Sequence, residues 1–297
     1  MLTKYAGKPG LSSRRLQFIL RLFSVAATAF VFCPDWEVTL PIWLGWEVHS
    51  ANRARVGIAL AKSFHGRFYL DDECELAATR DGYRFKDRSP SGPEWLQQIA
   101  GDYYFRRIVL LTIKWQPVTD DDLRRIVAVM PDLWSLDLEK TDVTNAGMVH
   151  LRGLRQLRQL AVTRANIDSV GITSLRPLSR LKWLELDLTN IDDDGLKHLR
   201  HLPELSTLSL QLTDVTDAGL PELAKFPALT EFLDLNGTAV TDEGIEALTR
   251  LKRLKHLELG RTKITKEGIR KLQEALPRTA ITQHETKGYE NRNQILK

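Results

Sequence analysis

Carboxylate side chains recur in this sequence at positions where two of them could act together. Asp137 and Glu139 are separated by one leucine, and so are Glu185 and Asp187. Residues two apart in a strand project from the same face, so each pair would present two neighbouring carboxylates. Such a pair could serve as the acid and base of glycoside hydrolysis, or its charge could attract a basic partner.

The surroundings of these pairs favour binding over catalysis. No element of the sequence predicts walls that enclose Glu185 and Asp187, and an open face does not shift carboxylate pKa values as acid–base catalysis requires. The chain also lacks a Gly-rich phosphate loop, a nucleophile elbow and the spacing of metal ligands. We therefore predict a non-enzymatic protein with no catalytic residue, cofactor or metal site.

A repeat of 24 or 25 residues determines where the carboxylates lie. Each unit reads L-x-x-L-x-L, then x-x-T-x-[VI]-[TD], then x-x-G-[LIM]-x-x-L-x-x-L, and Asp122 occupies the glycine position of the first of seven units. The period is marked by Gly147, Gly171, Gly195, Gly219, Gly244 and Gly268. This pattern resembles the leucine-rich-repeat family over about residues 105–285.

The resemblance implies an α/β horseshoe-shaped solenoid, with parallel strands on its concave face and short helices on its convex face. The letters of the unit agree, because Leu136 and Leu138 alternate with Asp137 as a strand requires. One unit cannot bury its own leucines, so the units must stack. An eighth strand is predicted at 279–283, and a bulge is predicted in the strand at 229–235, which contains one extra residue.

Two side chains in each turn have predicted structural roles. The threonine after the strand, such as Thr189, can bond neighbouring backbone through its hydroxyl, and Ala165 interrupts this series. The helix N-cap positions carry short polar side chains that can satisfy free amides. These predicted caps are Thr144, Asp168, Asp192, Thr216 and Thr241.

The outward strand positions form an acidic ribbon, the candidate partner-binding surface. Its members are Asp137, Glu139, Glu185, Asp187, Asp234 and Glu258. Lys114 is the one basic residue in the two outward columns that contain them. Trp183 lies two residues before Glu185 on the same predicted face, and tryptophan is enriched at binding hot spots. The alternative is an ordinary solvated polar face.

The N-terminal residues have the pattern of a membrane segment. Residues 1–34 contain no acid and five Lys or Arg, and 22–33 form an uncharged apolar run. Twelve residues are fewer than the roughly 20 that a spanning helix needs, and extension to Trp46 crosses Pro34, Asp35 and Glu37. A single-pass or re-entrant anchor is favoured, with a cleaved signal peptide and a buried helix of a soluble protein as alternatives.

A narrower resemblance supports the anchor. The segments 17–46, 52–55, 93–96 and 102–105, including Leu-Gly-Trp at 44–46, resemble a group of bacterial membrane-tethered leucine-rich-repeat proteins. In that group one membrane helix ends in Leu-Gly-Trp. The resemblance implies a location rather than an activity.

The chain is predicted to have four segments. Residues 1–50 are the basic N-terminus with its anchor or signal-like segment, and 51–104 are a capping segment with a helix, a short strand near 68–70 and a polar loop at 80–93. The repeat domain follows at 105–285, and a polar tail at 286–297. The net charge of +4 and two cysteines predict neither a nucleic-acid-binding tail nor a disulfide scaffold.

We predict a monomeric protein-binding protein whose protein partner is basic, without a role in nucleic-acid binding. The N-terminal segment would hold it in a membrane by a single pass. Basic residues before the apolar run favour that end in the cytoplasm, which places the repeats outside. The alternative is a cytoplasmic adaptor similar to the substrate-recruiting leucine-rich-repeat proteins of ubiquitin ligases. Such an adaptor would need a soluble recruiting domain, which residues 1–103 do not resemble.

Overall fold

The computed structural model describes residues 53, 56–70, 74–76, 83–85 and 108–283. Among these residues, nine strands form one open sheet and two form a separate antiparallel pair. The strands, in chain order, are β1 (Arg67–Leu70), β2 (Cys74–Leu76), β3 (Tyr83–Phe85), β4 (Ile108–Thr112), β5 (Ser135–Asp137), β6 (Gln159–Ala161), β7 (Trp183–Glu185), β8 (Thr207–Ser209), β9 (Phe232–Asp234), β10 (His256–Glu258) and β11 (Ala280–Thr282).

The large sheet follows the order of the repeats. Strands β4 to β11 pair in parallel, each with the next strand along the chain. Strand β11 is the predicted eighth repeat strand. Strand β1 is the short strand predicted near 68–70, and it pairs antiparallel with β4 at the start of the array.

Short helices connect the strands, as predicted for a solenoid. Residues 56–63 are helical before β1. Between the repeat strands, α-helices span Asp120–Val129, Asn145–Met148, Ser169–Ile172, Asp193–Leu199, Leu220–Leu223, Ile245–Leu248 and Lys266–Ala275. 3₁₀ turns span Val149–Gly153, Thr173–Leu175 and Asp242–Gly244. This arrangement of parallel strands and short helices in an open array confirms the predicted fold class.

The core is a stack of leucines that align in register from strand to strand. Leu136, Leu160, Leu184 and Leu208 are register partners on β5 to β8, and none is more than 1% exposed. Each leucine lies between outward residues of its strand, so the alternation predicted from the sequence holds. Burial of a leucine side chain stabilises the fold by about 1.5–3 kcal/mol, so the stack is a principal source of stability.

The threonine after each strand closes the turn that follows it. The hydroxyl of Thr141 donates to the Leu138 carbonyl at 2.9 Å, and that of Thr213 donates to Leu210 at 2.7 Å. The same bond is made by Thr189, Thr238 and Thr262. Two repeats lack the threonine: Gln116 occupies this position in the first, and the buried Ala165 occupies it after β6. The predicted role of the threonine is confirmed.

The helix caps join one repeat to the next, which the sequence pattern does not reveal. Thr216 accepts a hydrogen bond from the Ala218 amide at 3.3 Å, in the turn before the helix Leu220–Leu223, whose N-cap is Gly219. The amide and hydroxyl of Thr216 donate to the Asp193 carboxylate of the preceding repeat at 2.8 and 2.7 Å. The same pair of bonds joins Asp120 to Thr144, Asp217 to Thr241 and Asp242 to Thr265.

The periodic glycines leave room for these carboxylates. A Cβ atom on Gly219 would lie 2.4 Å from Asp193 Oδ1, and one on Gly244 would lie 2.4 Å from Asp217 Oδ1. Real Cβ atoms essentially never approach an atom this closely. The glycine that marks the period is therefore required by the inter-repeat hydrogen bonds.

A residue with left-handed backbone angles follows each of the strands β4 to β10, where the chain leaves the sheet. Six of these seven residues have side chains, although L-residues rarely adopt this conformation. They are Trp115, Lys140, Arg164, Leu188, Leu212, Gly237 and Arg261, with φ between 51° and 69°.

Two sequence predictions about local structure were wrong. Strand β9 pairs with β8 without a bulge, from Phe232 opposite Thr207 to Asp234 opposite Ser209. The extra residue lies just before β9, because Lys255 and His256 donate to two separate carbonyls there, Thr230 and Glu231, whereas the two corresponding amides of earlier repeats share one carbonyl. The loop predicted over 80–93 contains strand β3, because backbone pairing with β2 stabilises an extended conformation there.

The predicted anchor, residues 22–46, lies outside the described residues, as do the tail 286–297 and most of 1–104. Within the described ranges, no helix combines the length and the apolar character needed to cross a bilayer.

Candidate functional site

The repeat brings the predicted binding residues onto one face of the sheet. Asp137, Glu185, Asp234 and Glu258 occupy the same register position on β5, β7, β9 and β10. Glu139 and Asp187 lie two residues further along their chains, and Trp183 lies two residues before Glu185. All seven side chains are half-buried. The carboxylates therefore lie on four of the six strands from β5 to β10, while β6 and β8 carry Ala161 and Ser209 at the same register position.

Lys114 neutralises the first end of the acidic ribbon. Its Nζ atom lies 2.9 Å from Asp137 Oδ2 and 3.0 Å from Glu139 Oε2. Burial of Lys114 opposes its charge, but hydrogen bonds and attraction from the two carboxylates outweigh burial and raise its pKa. Burial raises the pKa of Asp137, and the bond to Lys114 only partly offsets that rise.

Trp183 and Glu185 form a bonded pair at the centre of the ribbon. The indole Nε1–H donates to Glu185 Oε1 at 2.8 Å. Burial raises the pKa of Glu185, the Trp183 bond lowers it, and repulsion from Asp137 raises it further. The sequence placed these two side chains on one face, and the structure adds that the indole orients the carboxylate.

Asp187 is the most strongly perturbed carboxylate of the ribbon. It accepts hydrogen bonds from Ser209 Oγ at 2.5 Å and from the Gln211 amide at 3.0 Å. Burial nevertheless raises its pKa to about 7, with added repulsion from Asp234 and Glu185. At neutral pH this side chain is therefore distributed between its charged and neutral forms.

Asp234 belongs to a second network further along the ribbon. Burial raises its pKa to about 6, the Asn236 amide that donates to it at 2.7 Å lowers it, and repulsion from Glu258 raises it. Asn236 also donates to Glu258 at 3.3 Å and accepts a bond from the Gly260 amide at 2.5 Å. These bonds orient the carboxylates without neutralising them.

Two open depressions in the strand face meet at Glu185. One, of about 240 Å³, is lined by Glu139, Glu185 and Asp187 together with Arg164. The other, of about 220 Å³, is lined by Lys114, Asp137, Trp183 and Glu185. Each depression has room for the end of a partner side chain, so two such side chains could bind beside Glu185. Among the described residues, no group of three or more His, Cys, Asp or Glu side chains could hold a metal ion.

A cluster of one aromatic and two basic side chains lies beside the first depression and was not predicted from the sequence. Trp115 is 54% exposed, and its ring lies 4.4 Å from Lys140 Nζ and 5.4 Å from Arg164 Cζ. The three residues share the left-handed position that follows the strands β4, β5 and β6. Their common place in the repeat was visible in the sequence, but the two columns used to define the ribbon end one residue earlier.

The repeat geometry agrees with one family model. The model, described as a leucine-rich repeat, matches residues 231–248, which run from the start of β9 through the helix Ile245–Leu248. The chain contains a leucine-rich-repeat domain. Each repeat of this domain supplies one strand to the sheet and at least one polar side chain to the strand face.

Solved structures similar to the chain are internalins of Listeria monocytogenes. Internalin inlF is 22% identical over 57% of this chain, with a TM-score of 0.43. Internalin C2 is 21% identical over 60% of this chain and 81% of its own length, also with a TM-score of 0.43. The match spans 44% of the length of internalin inlF. The search of curated proteins found no match.

Proposed function

We propose that the protein is a non-enzymatic binding protein whose acidic ribbon holds a basic segment of a protein partner. The observation that carries this proposal is the set of six half-buried carboxylates that project from one face of the sheet, at the strands β5, β7, β9 and β10. Lys114 pairs with only two of them, Asp137 and Glu139. The remaining four carboxylates lie within reach of a ligand that approaches the strand face.

The raised pKa values explain why a basic partner would be favoured. Asp187 and Asp234 repel each other and are partly withdrawn from water, so each is less stable as an anion than in solvent. A lysine or arginine seated beside them would restore that stability. Binding would therefore lower both pKa values and release protons near neutral pH. Complementary charge would also speed association and weaken in salt.

The acidic ribbon can be tested by exchanging three of its carboxylates. A variant with Asp137→Ser, Glu185→Ser and Asp187→Ser should lose the partner recovered by the wild-type protein, and raised salt should weaken the wild-type complex. Pull-downs at two salt concentrations measure both effects. Arg124→Glu on the helix side serves as the control and should retain binding. Full affinity in the triple variant, or loss of binding in the control, would assign the interface to another surface.

The proposal includes a tether to the membrane or export across it by residues 14–46, with the repeats outside the cytoplasm. Its support is the acid-free, basic N-terminus followed by the apolar run 22–33. A fluorescent fusion of residues 1–50 should accumulate in membranes, and the full chain should resist carbonate extraction. A diffuse, fully soluble fusion would contradict the tether and leave the acidic ribbon untouched.

A further inference from the structure

The second to fourth repeats carry a cluster of basic residues, most of them on the helix side. Residues 149–182 contain seven Lys or Arg and a single acid, Asp168, so their formal net charge of +6 exceeds the +4 of the whole chain. Five exposed arginines of these repeats form a surface that we call the arginine patch. Its members are Arg152, Arg155, Arg176, Arg180 and Arg200.

The repeat aligns three of these arginines. Arg152, Arg176 and Arg200 are each 24 residues apart and follow the same helical turn in successive units. Arg176 and Arg200 are both close enough to His201 to affect its pKa. Burial lowers that pKa most, and the positive charges of the two arginines lower it further. The solenoid thus concentrates positive charge in one column on the side away from the strand face.

The charges of the arginine patch are not neutralised by acids of the described residues. Several other cations of the helix side do pair with acids on the same helix. Examples are Arg124 with Asp121, Lys197 with Asp194, Lys225 with Glu222, Arg250 with Glu246 and Arg270 with Glu267. Within the described part of the chain, the five patch arginines form no ion pair, and Arg180 bonds only to the neutral Gln156.

Two exposed valines lie in the same segment. Val149 is 44% exposed at the start of the turn that carries Arg152, and Val170 is 69% exposed in the helix that precedes Arg176. Exposed apolar side chains among basic residues are typical of surfaces that rest on a bilayer interface. Proteins that bind single-stranded nucleic acid stack bases on aromatic side chains, and no exposed residue of 149–182 is aromatic.

We propose that the arginine patch, with Val149 and Val170, binds the phosphate headgroups of an anionic phospholipid surface. Guanidinium groups bind phosphate through paired hydrogen bonds, and clusters of four to eight Lys or Arg are enough to recognise anionic lipid. The strand face is acidic and would be repelled by the same surface. Membrane contact through the helix side would therefore leave the acidic ribbon open to its partner.

The test compares vesicles of phosphatidylcholine alone with vesicles that also contain phosphatidylglycerol, using the full chain. The quantity measured is the ratio of the two partition coefficients in a flotation assay. Each arginine near the surface contributes about a fivefold gain, so Arg152→Gln, Arg176→Gln and Arg200→Gln together should lower the ratio roughly 100-fold. Raised salt should lower the wild-type ratio in the same direction.

A matched variant separates the patch from net charge. Arg124→Gln, Arg250→Gln and Arg270→Gln remove the same charge from arginines that are already ion-paired, and this variant should keep most of the wild-type ratio. Both triple variants should melt like the wild-type protein, because all six side chains are exposed. Equal losses in the two variants, or no loss in either, would overturn the proposal.

Two further outcomes are informative. If the patch variant lost binding to a DNA duplex but kept its preference for anionic vesicles, the patch would be a nucleic-acid site and the lipid proposal would be wrong. The tether is tested separately, since it governs binding to neutral vesicles as well. A soluble 1–50 fusion together with a wild-type ratio that depends on the patch would reject the tether and support the lipid surface.

Discussion

A single methyl group at Gly219 should disrupt the connection between two repeats. The Cβ atom of Gly219→Ala would lie 2.4 Å from Asp193 Oδ1 and 2.9 Å from Leu196 Cδ1. The Asp193 carboxylate cannot move aside freely, because it accepts the amide and the hydroxyl of Thr216. To make room for the methyl group, at least one of these bonds must lengthen or break.

The expected effect has the opposite sign to the local preference of the residue. Gly219 has helical dihedral angles, φ −81° and ψ −27°, and alanine in such a position normally stabilises a protein by about 0.4–1 kcal/mol. A hydrogen bond to a charged group contributes about 1.5–3 kcal/mol. Loss of both bonds outweighs the local gain, so Gly219→Ala should lower the free energy of unfolding by about 2–5 kcal/mol.

A double-mutant cycle in urea isolates the cause. Asp193→Ala alone loses the same two bonds and should cost a similar amount. In the Asp193→Ala background only the contact with Leu196 Cδ1 remains, so adding Gly219→Ala should cost clearly less than it does in the wild-type protein. If Gly219→Ala stabilised the protein in both backgrounds, or destabilised it equally in both, the steric explanation of the periodic glycines would be refuted.

Three other substitutions test the register, the turns and the buried charge. Leu184→Ala should cost about 2–5 kcal/mol, and the exposed Lys182→Ala under about 0.5 kcal/mol, so equal midpoint shifts in urea would contradict the register. Thr189→Val should cost about 1–2 kcal/mol because its buried hydroxyl closes the turn, and a neutral result would remove that role. The raised pKa of Asp187, about 7, means that the folded state holds its proton more tightly. Stability should therefore fall as pH rises from about 4 to about 7, on the order of 4 kcal/mol. Asp187→Asn should flatten this dependence, whereas an unchanged profile would assign it to other groups.

The repeat made much of the domain predictable. A unit such as Leu184–Leu186 alternates inward and outward residues, and the same letters return 24 residues later at Leu208. Because each unit of a solenoid contacts mainly its neighbours, local pattern and period together determine the strand order, the buried leucines and the columns of the acidic ribbon. The outward placement of Glu185 and Asp187 followed from this alternation alone.

The ion pairs, hydrogen bonds and pKa shifts of the acidic ribbon could not be predicted from the sequence. The pattern treated Lys114 as a lone cation, but the ladder places it between Asp137 and Glu139. It also gave no reason for the pKa of Asp187 to rise, because burial depends on what surrounds a side chain in three dimensions. Such properties combine contributions from several strands, and no single repeat contains them.

The features of a single unit could be predicted from its residues: the strand, the turn threonine, the cap and the period that forces units to stack. The contacts between units and at the start of the array became visible only in three dimensions. The structure showed that Asp193 reaches across to Thr216, that Gly219 must be glycine as a result, and that β1 pairs with β4. These contacts join residues more than 20 positions apart, and their geometry depends on atoms that a linear pattern does not bring together.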